Sequence, residues 1–101
     1  MTGWGLLRQL NRRWYNGHVL TKYIQAAMRR AQYEILPDDG TYYGRIPGFD
    51  GVWANAATLE QCREELEEVL QDWIMLGLSR NTPLPVVEGI ELAVKDVRVV
   101  A

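Results

Sequence analysis

Cysteine and histidine each occur once, as Cys62 and His18. A single cysteine permits neither an intrachain disulfide nor a zinc site built on cysteine pairs. A nucleophile and its base must lie within hydrogen-bond reach, and nothing in the spacing of these two residues suggests that they do. No apolar run approaches the ~18 residues that span a membrane. Gly40, Gly44, Gly48 and Gly51 precede strands and form no phosphate-cradling pattern at a helix start. Acid is missing from residues 1–33, which carry Arg8, Arg12, Arg13, Lys22, Arg29 and Arg30.

The remaining chain reverses that sign. Residues 34–101 hold 13 acidic and 5 basic residues, a net −8, which leaves −2 for all 101 residues. A basic arm on an acidic body suggests self-association, an anionic surface, or internal neutralisation. The acidic bulk would repel phosphate, so self-association or internal pairing outweighs nucleic-acid binding. The arginine-rich start is compositionally close to an organellar transit peptide, but it has little serine and no small-residue cleavage pattern. Its apolar stretch is too short for a secretory signal, so reducing cytosol is the expected compartment. Hydrophobic residues make up 48% and charged residues 24%, ordinary for one globular domain.

The apolar pattern predicts an α+β chain. Leu20, Tyr23, Ile24, Ala27, Met28 and Ala31 recur at helical spacing over 20–31, with Thr21 as a candidate cap. Residues 32–36 alternate as a strand, and Pro37-Asp38-Asp39-Gly40 is a hairpin turn. Residues 41–46 return with Tyr42, Gly44 and Ile46 on one face and Tyr43 and Arg45 on the other. Pro47-Gly48 and Asp50-Gly51 separate this strand from a third over 52–56. Thr58-Leu59-Glu60-Gln61 reads as a capping box opening a helix over 58–78. Leu59, Cys62, Leu66, Val69, Leu70, Trp73, Ile74 and Gly77 form its apolar stripe. Pro83 and Pro85 follow, and residues 90–95 alternate as a last strand. The expected architecture is a short N-terminal helix, then β-β-β-α-β: an antiparallel meander and last strand with one long helix packed on the sheet. We divide the chain into a basic arm and short helix, 1–31, and a domain, 32–101.

Little of this points to catalysis. Cys62 falls on the buried stripe, where a thiol acts as a small hydrophobe. His18 lies in a glycine-containing linker. Asp38 and Asp39 sit at a turn tip, where carboxylates bond backbone amides. No catalytic residue, cofactor site or metal site is expected. Tyr42, Tyr43 and Trp53 could stack nucleic-acid bases, but only Arg45 interleaves them, so packing or interface roles outweigh that.

The stretch from Tyr33 to Glu60 carries a further signal. Its aspartate–glycine hairpin, aromatic pair, Ile46-Pro47-Gly48, second glycine at Gly51, short strand and Thr58-Leu59-Glu60 helix start come in a set order. Trp73 in the helix's last turns and Pro83-Leu84-Pro85 after it complete the set. In this order, over about residues 32–95, the chain resembles the HicB-like antitoxin family. The resemblance implies a partly degraded ribonuclease H fold without its catalytic acids. It implies a non-enzymatic cytoplasmic protein, or an orphan relative, that neutralises a small basic RNA-cleaving toxin of HicA-like type. It further implies homodimers or tetramers and no membrane. Many such antitoxins end in a DNA-binding module; too few residues follow 95 to hold one, so direct DNA binding is not expected.

An inhibitor of an RNA-binding nuclease should offer acids and aromatic anchors to a basic surface. Glu60, Glu64, Glu67, Glu68 and Asp72 lie on the long helix's polar face, with Tyr43 and Trp53 as candidate anchors. The plainer reading of that face is solvation. The alternative function is a nucleic-acid-associated regulator that uses the basic arm. A third class is an enzyme on the degraded nuclease fold.

Overall fold

The computed structural model describes residues 19–92. Helix α1 occupies 19–29, strands β1 Gln32–Ile35, β2 Tyr42–Arg45 and β3 Trp53–Ala56 follow, and helix α2 covers Leu59–Ser79. The three strands form an antiparallel meander in the order β1-β2-β3. The α+β class and the element order follow the sequence expectation. Thr21 lies inside α1 rather than capping it, because Val19 and Leu20 are already helical.

Local chemistry sets each connection. In the β1–β2 hairpin, Gly40 N–H donates to the Leu36 carbonyl at 2.9 Å and Leu36 N–H to that of Thr41 at 2.8 Å. Asp39 accepts from the Thr41 N–H at 3.0 Å and hydroxyl at 2.7 Å, and these bonds hold its carboxyl below the usual carboxylate range. Two successive turns then join β2 to β3: Phe49 N–H donates to the Ile46 carbonyl and Val52 N–H to that of Phe49, both at 3.1 Å. Each needs φ > 0 at its third residue, supplied by Gly48 and Gly51 at 89°. The result points Phe49 into the core, where its ring lies 6.3 Å from Tyr23 and 5.0 Å from Trp73. The sequence pattern did not mark Phe49 as this hub.

Thr58 caps α2, its hydroxyl accepting from the Gln61 N–H at 3.1 Å. At the other end Asn81 adopts a left-handed φ of 56°. Its N–H donates to the Leu78 carbonyl and that of Thr82 to Gly77, so the paired bonds of a Schellman ending satisfy the last carbonyls.

The lengths of these elements do not match. A 21-residue helix is about 31 Å long, whereas a four-residue strand spans about 13 Å. Cys62 packs against the sheet, its thiol donating to the Ala54 carbonyl at 3.6 Å. The C-terminal half of α2 is covered instead by α1 and the chain after α2. Leu20 and Ile24 line a groove with Ile74, and Leu84 lies against Gly77. Leu59, expected in the stripe, is 44% exposed. It is the first helical residue, three positions after β3 ends, and the first turn reaches beyond the strands.

Tyr23, Ala26, Ala27 and Met28 share one core with Ile46, Val52, Leu66, Leu70, Ile74, Val87 and Leu92. The line drawn at residue 31 therefore runs through continuous packing. Ile90 makes an isolated antiparallel bridge to Val87 around a turn with Glu88 at φ 49° and Gly89 at φ 77°. Residues 91 and 92 are not in a strand, and the rest of the strand expected over 90–95 lies outside the described residues. Arg29 donates two bonds to the Glu88 carboxylate, at 2.7 and 3.0 Å, fastening α1 to this turn. The pairing lowers the Glu88 carboxyl and raises the Arg29 guanidinium relative to their usual ranges. Among the described residues, no helix is long and apolar enough to cross a membrane.

The fully buried Tyr23 hydroxyl donates to the Pro85 carbonyl at 2.6 Å, tying α1 to the chain after α2. Burial pushes its phenol up to about 12. An unfolded tyrosine ionises near ~10, so the contribution is full below that pH and is lost as pH rises toward 12. Tyr23→Phe should cost ~1 kcal/mol at neutral pH by leaving the carbonyl unpaired. It should also flatten the alkaline fall in stability. Urea denaturation between pH 7 and 11 measures both; an unchanged midpoint and unchanged alkaline slope would contradict this assignment.

Candidate functional site

Alternation along the strands divides the sheet into two unlike faces. Tyr33, Gly44 and Ala54 stand in register across β1, β2 and β3 beneath Cys62 of α2. The residues between them point the other way, and α2 does not cover that side. This outer face has two rows: Gln32, Arg45 and Trp53, then Glu34, Tyr43 and Asn55. Tyr43 and Trp53 are diagonal neighbours whose rings stack with centroids 6.0 Å apart and planes inclined by 30°. Trp53 is 54% exposed.

Polar side chains frame the pair. Arg45 donates to the Gln32 side-chain oxygen at 3.0 Å. Asn55 donates to the Thr41 hydroxyl at 2.8 Å and the Tyr42 carbonyl at 2.9 Å. An exposed tryptophan braced by a second ring and a fixed polar rim is the composition of an interface anchor.

The acidic residues fall elsewhere. Glu60, Glu64, Glu68 and Asp72 are exposed and spaced by four, so they run as one row along α2. The sheet separates this row from the aromatic pair. Glu67 leaves the row: it is half-buried, accepts from the Gln71 amide at 3.5 Å, and lines a groove of about 190 Å³ with Ile24, Met28, Arg29 and Arg63. The structure thus brings Tyr43 and Trp53 together and aligns four of the five acids, but does not join the two groups. Glu34, Arg45 and Asn55 were not among the expected site residues. Strand alternation and the hairpin register would have placed them beside Tyr43.

The candidate nucleophile has the wrong surroundings. Cys62 is fully buried, and burial pushes its thiol up, away from the thiolate form. His18 lies outside the described residues. Asp38 and Asp39 stay at the hairpin tip, with Asp39 engaged by Thr41. Among the described residues, no three His, Cys, Asp or Glu side chains converge as a metal site would require.

The family model described as UPF0150-like matches residues 22–85, from the first turns of α1 to the prolines after α2. The chain belongs to the UPF0150-like family. Tyr43, Trp53 and the acidic row all fall within the matched span. The UPF0150-like fold is also seen in the crystal structure of TTHA0281 from Thermus thermophilus. That protein is 39% identical and superposes with a TM-score of 0.69, over 73% of this chain and 91% of that one. Among curated proteins, none matches.

Proposed function

We propose that this UPF0150-like chain is a non-enzymatic antitoxin of HicB-like type, or an orphan relative of one, that binds and neutralises a small basic RNA-cleaving protein. The half-exposed Tyr43–Trp53 stack on the open sheet face is the observation that carries this reading. A rigid aromatic pair supplies contact area at little entropic cost, and its fixed polar neighbours supply orientation. The buried, raised Cys62 thiol and the turn-bound Asp39 favour binding over catalysis. Family membership is compatible with a toxin–antitoxin role.

Division of labour follows from the two surfaces. The aromatic pair holds the partner, while the acidic row of α2 steers a basic protein from a distance. Co-expression with the small basic protein encoded beside this gene should give a stable complex that Trp53→Ala weakens. No complex, together with salt-sensitive retention of RNA or DNA, would favour the nucleic-acid regulator instead. Reversing Glu64 and Glu68 to lysine should slow association, most clearly at low salt, without altering folding stability. Equal association rates for the wild type and the double reversal at both salt levels would reduce that face to a solvated one.

A further inference from the structure

The outer sheet face carries a carboxylate that the fold does not use. Glu34, Tyr43 and Asn55 stand directly opposite one another on β1, β2 and β3. Neighbouring Cβ atoms in such a row are about 4.5–5.5 Å apart, so a carboxylate on one side and an amide on the other flank the Tyr43 ring. Glu34 is exposed and makes no hydrogen bond or ion pair within the described residues. Asn55 commits its amide nitrogen to Thr41 and Tyr42, which leaves its side-chain oxygen free to accept. Trp53 extends the ring surface. Arg45, the cation on this face, is drawn to Gln32 in the adjacent row.

We infer that this face is a receptor for an arginine side chain of a basic partner protein. The inference rests on the protein-binding reading above. The guanidinium lies flat on the Tyr43–Trp53 stack, and its edge donates to the Glu34 carboxylate and the Asn55 oxygen. Guanidinium suits the place better than ammonium: it is planar, weakly hydrated, and presents a fork of N–H donors that matches a carboxylate. Nucleic acid suits it worse, because Glu34 and the net −8 of residues 34–101 repel phosphate. Stacking selects the flat cation, and Glu34 sets its charge.

The test follows the Trp53 indole N–H by NMR in the full chain, the resonance being the one missing from Trp53→Phe. Two peptides of equal length and charge are titrated, one bearing arginines spaced by glycine and serine, the other lysines at the same positions. The arginine peptide should shift this resonance saturably and bind roughly five- to tenfold more tightly than the lysine peptide. Glu34→Gln should remove most of that preference with the remaining spectrum unchanged. Glu64→Gln, on the far side of the sheet, should change the affinity by less than about twofold. Equal affinity for the two peptides, an indifferent Glu34→Gln, or the same shift produced by an oligonucleotide in place of the peptide would overturn the inference. The neighbouring protein co-purifying while the arginine preference is absent would overturn this inference alone. An intact preference without any complex would overturn the antitoxin reading while the receptor stands.

Discussion

Truncating Leu66 to alanine is expected to cost ~2–5 kcal/mol of folding stability. Leu66 is fully buried on the face of α2 that carries Cys62, Leu70, Ile74 and Leu78, one residue per turn. Removing its isobutyl group loses transfer free energy and leaves a cavity that a helix held at both ends closes only in part. A domain of this size is stable by roughly 5–15 kcal/mol in total, so the loss is a large fraction. At ~4–8 °C per kcal/mol the melting temperature should fall well beyond error. Glu64→Ala, exposed two residues earlier, should stay within ~0.5 kcal/mol. A loss below ~0.5 kcal/mol for Leu66→Ala in the same denaturation series would mean that this face of α2 is not core.

Gly44→Ala should be the next most damaging change, for the opposite reason. A Cβ at Gly44 would lie 2.8 Å from two atoms of the Tyr33 ring and 3.1 Å from the Cys62 sulfur. Gly44 sits on the central strand, buried beneath α2, with Tyr33 directly opposite on β1. The added methyl must swing the Tyr33 ring outward or lift α2 from the sheet. Overpacking of this kind costs ~1–3 kcal/mol. Because the ring contact is the tighter one, Tyr33→Ala should cost less in the Gly44→Ala background than alone, a non-additivity that a double-mutant cycle reads directly. Strict additivity would show that the methyl is accommodated somewhere else.

These two positions differ in how visible they are before folding. The Leu66 role is periodic: apolar residues at 62, 66, 70 and 74 with acids between them mark a buried helix face in any context. The Gly44 role is not. Alternation assigns it to the inner face, but only the register with Tyr33 and the position of Cys62 explain why no side chain fits there.

The candidate surface divides in the same way. Tyr43 and Trp53 are exposed aromatics on neighbouring strands, and the hairpin turn at 37–40 and the turns at 47–51 place them together. The acidic row on α2 is equally plain, since four-residue spacing fixes its direction on a helix. That the two surfaces lie on opposite sides of the sheet follows from which sheet face α2 covers. Tyr33, Gly44 and Ala54 offer α2 a small, close surface, whereas Tyr43 and Trp53 would hold it off.

Local interactions thus determined, from the sequence alone, the hairpin, the Thr58 cap, the strand alternation and the length and buried face of α2. Each is set by residues only a few positions apart, where turn chemistry and side-chain periodicity act without help from the rest of the chain. The tertiary structure decided the rest. It placed the Tyr23 stripe of α1 against Phe49 and Pro85 within one chain, although that stripe alone reads equally well as an oligomer contact. It left Leu59 in solvent and drew Glu67 toward α1. The physical reason is the mismatch in length: an α2 of about 31 Å overhangs strands of about 13 Å. What covers each overhanging turn depends on residues far away in the chain, and local sequence carries no record of them.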